Sequence, residues 1–299
     1  MFGGALALWR RLMAGVPFGV WYDVSGGWAT RRAAEQAGLL RGLGFSRVNI
    51  MLNDHHHPDD ATRYWSPDQL VTFADALRAE GIRHIGVSTW VRPQADWLEA
   101  WLASPQWVAM AEAGVKEIGF DTEQEWYDEP VRGWASKRAA AHAIASMTRT
   151  RAAASGLRGT SLEMTTFPGD GASQRDWAGA VDAFAIQGYS KREWHSTPRF
   201  RPGPMQHRIA QRTAERGMPL IMGLAAYQQD GVPGYTAEQY MAAALGAALT
   251  ARPSVQEVRW WSWKHIAGPR PNGYAARFFD EVAPQVKRSP NTFTPRTTA

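Results

Sequence analysis

The sequence predicts a single (β/α)8 TIM barrel, an α/β fold, and three observations support it. Short β-type runs alternate with helical stretches, the pattern of repeated βα units on a parallel sheet. Eight such units fit within 299 residues, and a barrel of this kind commonly needs about 250 residues. A doubly wound open sheet is the alternative, but no glycine-rich phosphate turn follows the first strand. We expect an N-terminal arm or short helix over residues 1–16, the barrel over 17–286 and a flexible tail over 287–299.

The predicted strands are runs rich in aliphatic, β-branched and aromatic residues. They are Phe18–Val24, Gly44–Asn53, Gly81–Trp90, Gly114–Asp128, Thr160–Phe167, Val181–Tyr189, Pro219–Tyr227 and Val255–Trp263. The predicted helices are Thr30–Leu43, Pro67–Glu80, a helix through Trp97 to Ala113, Ser136–Ala154, Met205–Arg216 and Thr236–Thr250. The second, third and fourth runs each begin with a glycine, at the point where the preceding helix is expected to end.

Composition excludes several classes of protein. Hydrophobic residues make up 44% and charged residues 20% of the chain, which is ordinary for a globular protein with a large core. Cysteine is absent, so disulfides and thiolate metal sites are excluded. The net charge of +5 suits a polyanionic partner such as a bacterial cell wall, but it is too diffuse to indicate nucleic acid. No run reaches the roughly 18 apolar residues of a membrane span, so we expect no stable membrane insertion.

The fourth strand carries the most unusual pattern in the chain. Asp121, Glu123 and Glu125 occupy every second position, so a continuing strand would place them on one face about 7 Å apart. Like charges at the end of a buried strand are costly, and proteins that need only stability rarely build them. We interpret them as a catalytic cluster, with a solvated loop after Asp121 as the alternative. Glu163, in the fifth strand, would join them if it faced inward.

In a TIM barrel the functional residues lie at the carboxyl ends of the strands. Those ends combine acids with aromatic side chains, and an aromatic ring packs well against the apolar face of a sugar. Cleavage of a glycosidic bond needs an acid to protonate the leaving oxygen and negative charge to stabilise an oxocarbenium-like centre. The sequence therefore predicts a glycosidase. The predicted site residues are Asp23, Trp90, Asp121, Glu123, Glu125, Gln187, Tyr189, Tyr227, Trp261 and Trp263.

Several strand ends resemble the chitinase-type barrels of glycoside hydrolase family 18. Asp121-Thr-Glu123 matches the final Asp-x-Glu of that family's signature, and Gln187-Gly-Tyr189 resembles its Met-x-Tyr-Asp strand. The runs Pro219–Tyr227 and Trp261-Ser-Trp263 resemble the Gly-Leu-Pro-x-Tyr strand and the strand of the tryptophan floor. The first strand, Trp21-Tyr-Asp-Val-Ser25, is similar instead to the opening of the family 25 lysozymes.

The resemblance implies roles for these residues. Glu123 would be the general acid, while Asp121 would share its proton or orient the 2-acetamido group of the substrate, whose oxygen is the nucleophile. Gln187 and Tyr189 would hydrogen-bond that group, and Trp261 or Trp263 would form the floor. Asp23 would be a second carboxylate in a lysozyme-like arrangement. The implied substrate is an N-acetylhexosamine polysaccharide, either chitin or bacterial peptidoglycan, the latter as for an endolysin.

Two departures from the pattern keep a second class of protein open. Gly119 and Ser190 stand where the family 18 signature has acids. A chitinase-like barrel that keeps its aromatic groove and loses acids is a non-catalytic carbohydrate binder, which is the alternative function.

A metal site is a further alternative. The run His55-His-His57 follows the second strand and precedes two aspartates, and imidazoles with carboxylates can bind zinc. Three adjacent histidines cannot all face one point in a regular strand, however, and a solvated loop explains them equally well. We therefore predict a polysaccharide as the partner and neither a metal nor a cofactor. The basic pair of the N-terminal stretch follows its apolar part, the reverse of a secretory signal, so the cellular location stays open.

Overall fold

The structure is a computed structural model with eight parallel strands in a closed barrel. Each strand pairs with its neighbours in sequence, and β8 pairs with β1. This closure confirms the predicted (β/α)8 fold and rules out the open sheet. The structure describes residues 15–54, 56–169, 171–189, 201–226, 235–251, 255–269, 271, 275 and 277–288. For residues 124 and 125 it describes the backbone alone.

The strands are short and lie inside the predicted runs. Their bounds are β1 Phe18–Tyr22, β2 Arg47–Met51, β3 His84–Trp90, β4 Glu117–Asp121, β5 Ser161–Thr166, β6 Ala183–Gln187, β7 Leu220–Ala225 and β8 Glu257–Trp261.

The helices surround the barrel. Their bounds are α1 Gly26–Thr30, α2 Ala33–Gly42, α3 Pro67–Ala79, α4 Ala95–Ala103, α5 Gln106–Glu112, α6 Gln124–Asp128, α7 Lys137–Ala154, α8 Gly171–Trp177, α9 Pro204–Glu215, α10 Ala237–Thr250, α11 Trp263–Ile266 and α12 Ala283–Arg288, the last preceded by a π-helical turn over Phe278–Val282. No helix within these described segments is long and apolar enough to cross a membrane.

The helices differ from the prediction in two ways. The single helix expected through Trp97 to Ala113 is divided into α4 and α5, because Ser104 and Pro105 interrupt it. The short helices α1, α6, α8, α11 and α12 were not predicted, since each spans only four to seven residues and is too short to show a periodic apolar pattern. Lys287 and Arg288 end the last helix, while residues 1–14 and 289–299 of the predicted arm and tail lie outside the described residues.

The main apolar core lies between the strands and the helices, as expected for this architecture. Eight of the 15 tryptophans are buried in it, so more than half of them serve packing. They are Trp65, Trp97, Trp101, Trp107, Trp126, Trp177, Trp260 and Trp263. The inside of the barrel is different, because it contains charged side chains in its middle and aromatic side chains toward its carboxyl-terminal mouth.

Candidate active site

The mouth of the barrel has an aromatic floor, which we define as Trp21, Met51, Trp90 and Trp261. These residues lie at or next to the carboxyl ends of β1, β2, β3 and β8 and belong to one apolar cluster inside the barrel. The rings of Trp21 and Trp261 meet edge to face with their centroids 6.0 Å apart. Trp261 is half-buried, so part of its surface remains open to a ligand. A rigid aromatic surface of this kind suits the apolar face of a sugar ring.

Glu123 lies two residues past the end of β4, whose last residue, Asp121, is the Cα partner of Trp90 in the floor. The backbone N–H of Thr122 donates to the carbonyl of Thr165, which extends the pairing of β4 with β5 by one residue. The N–H of Trp126 then donates to the carbonyl of Glu123, which starts the turn into α6. The half-buried Glu123 side chain accepts a hydrogen bond at Oε1 from Nε2 of Gln187, the last residue of β6. Two strands thus fix one partly exposed carboxylate.

Asp121 lies at the same side of the mouth as Glu123. It is the last residue of β4, is buried, and has Trp90 and Thr165 as its Cα partners on the neighbouring strands. Tyr189, two residues past the end of β6, is half-buried. The structure therefore brings together four of the predicted site residues near β4 and β6.

The expectation that three acids share one strand face is wrong. The strand ends at Asp121, and Glu125 lies on the short helix α6. The cause is local, because the hydrogen bond from Trp126 to the Glu123 carbonyl turns the backbone away from the extended form. Of the acid trio, only Asp121 and Glu123 have a described position at the strand end. Predicted Tyr227 lies outside the described residues.

Trp263 is not at the mouth, which corrects its predicted place in the sugar floor. It is fully buried in the outer core, where its indole N–H donates to Gln36 at 2.6 Å and its ring stacks on Tyr22. The reason is that β8 ends at Trp261 and the chain turns into α11 at Trp263. Trp261 therefore remains as the floor residue of the pair.

Asp23 lies across the mouth from Glu123 and forms an ion pair. Its carboxylate contacts the Lys264 ammonium at 2.9 Å and accepts a hydrogen bond from the Lys264 backbone N–H at 3.2 Å. The ammonium also lies 5.9 Å from the centre of the Trp261 ring. Asp23 is thus held by a cation beside the floor, which differs from a second carboxylate acting with Glu123.

Below the floor lies a buried ionic cluster, which we call the inner cluster and define as Glu117, Glu163, Glu257 and Arg259. The Arg259 guanidinium contacts all three carboxylates: Glu257 at 2.7 Å, Glu117 at 3.0 Å and Glu163 in a short contact. Each member of the cluster is almost fully buried. Arg47 adds a second cation on Glu257 at 2.9 Å. Glu163 therefore faces inward, but its partner is an arginine and not the acids of the mouth.

The inner cluster shifts the pKa values of Glu117 and Glu163 in opposite directions. Burial by itself would raise the pKa of Glu117, but the charges of Arg259 and His84 override burial and hold it well below its usual range. Burial also raises the pKa of Glu163, and the neighbouring carboxylates raise it further, against the pull of Arg259. Its Oε2 atom has no hydrogen-bond partner within the described part of the chain. The two glutamates therefore differ in the direction of their pKa shifts, although both contact Arg259.

Gly119 stands where the family 18 signature has an acid, and Glu163 of the inner cluster occupies the space that a side chain at position 119 would need. A Cβ atom at this position would lie 2.6 Å from Oγ of Ser88 and 2.9 Å from Oε1 of Glu163. No side chain fits there, because the Glu163 carboxyl from β5 already fills the space. The missing acid at position 119 thus reflects the different interior of this barrel.

Trp21 is a site residue that the sequence reasoning missed. Its ring lies 5.3 Å from the Arg259 guanidinium on one side and against Trp261 on the other, so it joins the inner cluster to the floor. The strand alternation that places Asp23 at the mouth also places Trp21 inside the barrel, and this signal could have identified it.

The described residues contain no group of three or more side chains suited to hold a metal ion. In the histidine-rich loop, His57 contacts Asp54 at 3.1 Å, while His55 lies outside the described residues.

Comparison with known proteins agrees with the barrel. No protein-family model matches the chain, and no curated protein matches it in sequence. A family GH113 β-1,4-mannanase is similar at 14% identity and a TM-score of 0.61, over 92% of this chain and 98% of the mannanase. The GH5_18 protein of Streptomyces cattleya, solved with GlcNAc, is similar at 15% and 0.62, over 94% and 82% of the two chains.

The Bacillus cereus spore cortex-lytic enzyme SleL is similar at 12% identity and a TM-score of 0.55, over 89% of this chain and 74% of SleL. A D-allulose 3-epimerase from Methylomonas shares the barrel as well, at a TM-score of 0.52. At such low identity the likeness establishes the fold, which is a TIM barrel common among glycoside hydrolases, and the reaction has to be argued from the site.

Proposed function

We propose that the protein is a glycoside hydrolase acting on an N-acetylhexosamine polysaccharide, with bacterial peptidoglycan as the first candidate and chitin as the second. The observation that carries this proposal is the half-buried carboxylate of Glu123, held by Gln187 beside the aromatic floor. A carboxylic acid that protonates a glycosidic oxygen must be fixed next to a surface that holds the sugar, and the mouth supplies both.

In the proposed reaction a sugar ring lies on Trp261, which the buried Trp21 supports, and Glu123 donates its proton to the glycosidic oxygen. The bond between that oxygen and the anomeric carbon breaks, while the 2-acetamido oxygen of the same sugar attacks the anomeric carbon. Asp121 accepts a hydrogen bond from the acetamido N–H and stabilises the resulting cyclic cation. Water then attacks the anomeric carbon and breaks its bond to the acetamido oxygen, while Glu123 takes a proton from that water. Tyr189, half-buried just past β6, would contact the acetamido group.

Three observations support this substrate class. The similar GH5_18 structure contains GlcNAc, and SleL is named for lysis of the spore cortex. The net charge of +5 favours approach to an anionic cell wall. Within Leu220–Ala226, at and just past the end of β7, no residue is a carboxylate, which is consistent with a nucleophile supplied by the substrate.

The test is digestion of purified peptidoglycan and of chitin oligomers, with products identified by mass. We expect disaccharide products from at least one glycan, and Glu123→Gln should reduce turnover by about 10²–10⁴-fold, the usual contribution of general acid–base catalysis. Glu99→Gln, on the exposed face of α4, makes the same chemical change away from the mouth and should keep full turnover. Saturable glycan binding with no product from either glycan would contradict the proposal and favour the carbohydrate binder.

A further inference from the structure

Within the described part of the chain, two sets of charged residues lie on opposite sides of the mouth. Asp121 and Glu123 belong to the end of β4, whereas the Lys264 ammonium follows the end of β8. In a closed barrel of eight strands, β4 and β8 are four strands apart in either direction, so they face each other across the mouth. A ligand in the mouth therefore meets two carboxylates at one side and, at the other, an ammonium that is more exposed than its paired carboxylate, Asp23.

Lys264 is held in place more firmly than an ordinary surface lysine. Its backbone N–H and its ammonium both contact the Asp23 carboxylate. The residue before it, Trp263, is anchored in the outer core by Gln36. Gly268 approaches so closely that a Cβ there would lie 2.5 Å from the Lys264 Cα atom. These contacts fix the backbone and lower the entropy lost when the ammonium binds a ligand.

The ammonium remains available although it is paired. The Lys264 side chain is 37% exposed, whereas its partner Asp23 is only 7% exposed. An ammonium carries three N–H donors, so contact with Asp23 leaves donors for a ligand. Its position 5.9 Å from the Trp261 ring places these donors at the edge of the surface that would hold a sugar.

We propose that this side of the mouth is a subsite for a sugar unit that carries a carboxylate, with the sugar ring on Trp261 and the carboxylate on Lys264. A carboxylate would be repelled from the acids at β4 and attracted to the ammonium at β8, so the charge would also orient the glycan. The shared chemistry is an anionic sugar, which includes both lactyl-ether amino sugars with a free carboxylate, as in glycan without stem peptide, and uronic acids. The inference rests on the proposed function and narrows its substrate class.

The experiment compares two disaccharides that differ by one group. The β-1,4-linked disaccharide of N-acetylglucosamine and N-acetylmuramic acid has a lactyl carboxylate, and di-N-acetylchitobiose lacks it. Calorimetric titration of Glu123→Gln keeps both ligands intact. We expect this variant to bind the lactyl disaccharide about tenfold more tightly, the effect of one charge-assisted contact. An oligosaccharide of glucuronic acid and N-acetylglucosamine, used as a third ligand, separates the lactyl source of the carboxylate from the uronic source.

The residue is tested in the same Glu123→Gln background. Adding Lys264→Met should reduce the tenfold preference to about twofold or less, and Lys264→Arg should retain most of it. Lys116→Met removes the same charge from an exposed position just before β4, at the other end of the barrel, and should leave the preference intact. If Lys264→Met does not fold, loss of the preference at high salt in the protein that keeps Lys264 is the second measurement.

Equal affinity for the two disaccharides, or a preference that survives Lys264→Met, would overturn the subsite. This outcome differs from failure of the proposed function. Equal binding with continued glycan cleavage removes only the subsite, whereas a clear preference without cleavage of any glycan removes only the glycosidase.

Discussion

The acids of the inner cluster and the acids of the mouth lie in the same barrel but have different surroundings. Glu117, Glu163 and Glu257 are sealed from solvent and share the guanidinium of Arg259. Glu123 is half-buried and accepts a hydrogen bond from the neutral amide of Gln187. A buried acid fixed by a cation serves the fold, whereas a partly exposed acid at a strand end can exchange a proton with a substrate.

The largest effect on stability should come from removing the cation of the inner cluster. Arg259→Met leaves its carboxylates buried without their shared partner, and breaking a buried pair in this way typically costs about 3–5 kcal/mol. The free energy of unfolding, measured in urea, checks this value. Arg158→Met, at an exposed position, should change it by less than about 0.5 kcal/mol. A small effect of Arg259→Met on the free energy of unfolding would mean that the glutamates of the inner cluster become protonated when the cation is removed.

Trp261 at the end of β8 and Trp263 at the start of α11 provide a second contrast. Trp263→Ala should lower the free energy of unfolding by about 3–5 kcal/mol, because it leaves a cavity in the outer core. Trp261→Ala should weaken glycan binding by about 0.5–1.5 kcal/mol, the usual value of an aromatic contact, with a smaller loss of stability. Urea unfolding and calorimetric titration of the same two variants measure both quantities. The reverse assignment would place the sugar floor at Trp263.

Within the inner cluster, Glu117 and Glu163 should respond differently to the same substitution. Glu117→Gln removes a charged partner of Arg259 and should cost about 1.5–3 kcal/mol of unfolding free energy. Burial and the neighbouring carboxylates already disfavour the ionised form of Glu163, so Glu163→Gln should cost less, below about 1 kcal/mol. Urea unfolding of both variants near neutral pH provides the comparison. Equal losses would contradict the opposite pKa shifts of the two residues.

The pH dependence of stability sharpens the same comparison. The raised pKa of Glu163 means that its contribution to stability is complete below the ordinary glutamate pKa of about 4.3. That contribution is lost as the pH rises from there through the raised pKa of the folded state. We therefore expect the stability of Glu163→Gln relative to the wild type to increase with pH over this window. A constant difference across the window would show that Glu163 ionises normally.

The sequence predicted the barrel and the strand ends because alternating βα units and buried apolar runs are local signals. The placement of Asp121 and Glu123 at the end of β4 followed from the same pattern. The role of Glu163 could not be predicted, since its partner Arg259 is 96 residues away in sequence. Only closure of the barrel brings β5 and β8 to a shared interior.

The predicted positions of site residues were wrong where a strand ends earlier than its run of β-favouring residues. Trp263 and Glu125 both continue the alternation of a strand, but the chain has already turned into a short helix at each of them. A single hydrogen bond from Trp126 to the Glu123 carbonyl decides the second case, and no composition signal marks it. Local turns of this size therefore limit the prediction of the site more than the fold does.

The most direct test of the account compares Glu123→Gln with Glu163→Gln in one assay of glycan cleavage and one of urea unfolding. We expect Glu123→Gln to lose turnover by about 10²–10⁴-fold and to keep its stability. Glu163→Gln should keep most of the turnover. Retention of more than about a tenth of the turnover by Glu123→Gln, or its loss in Glu163→Gln alone, would contradict the assignment of chemistry to the mouth.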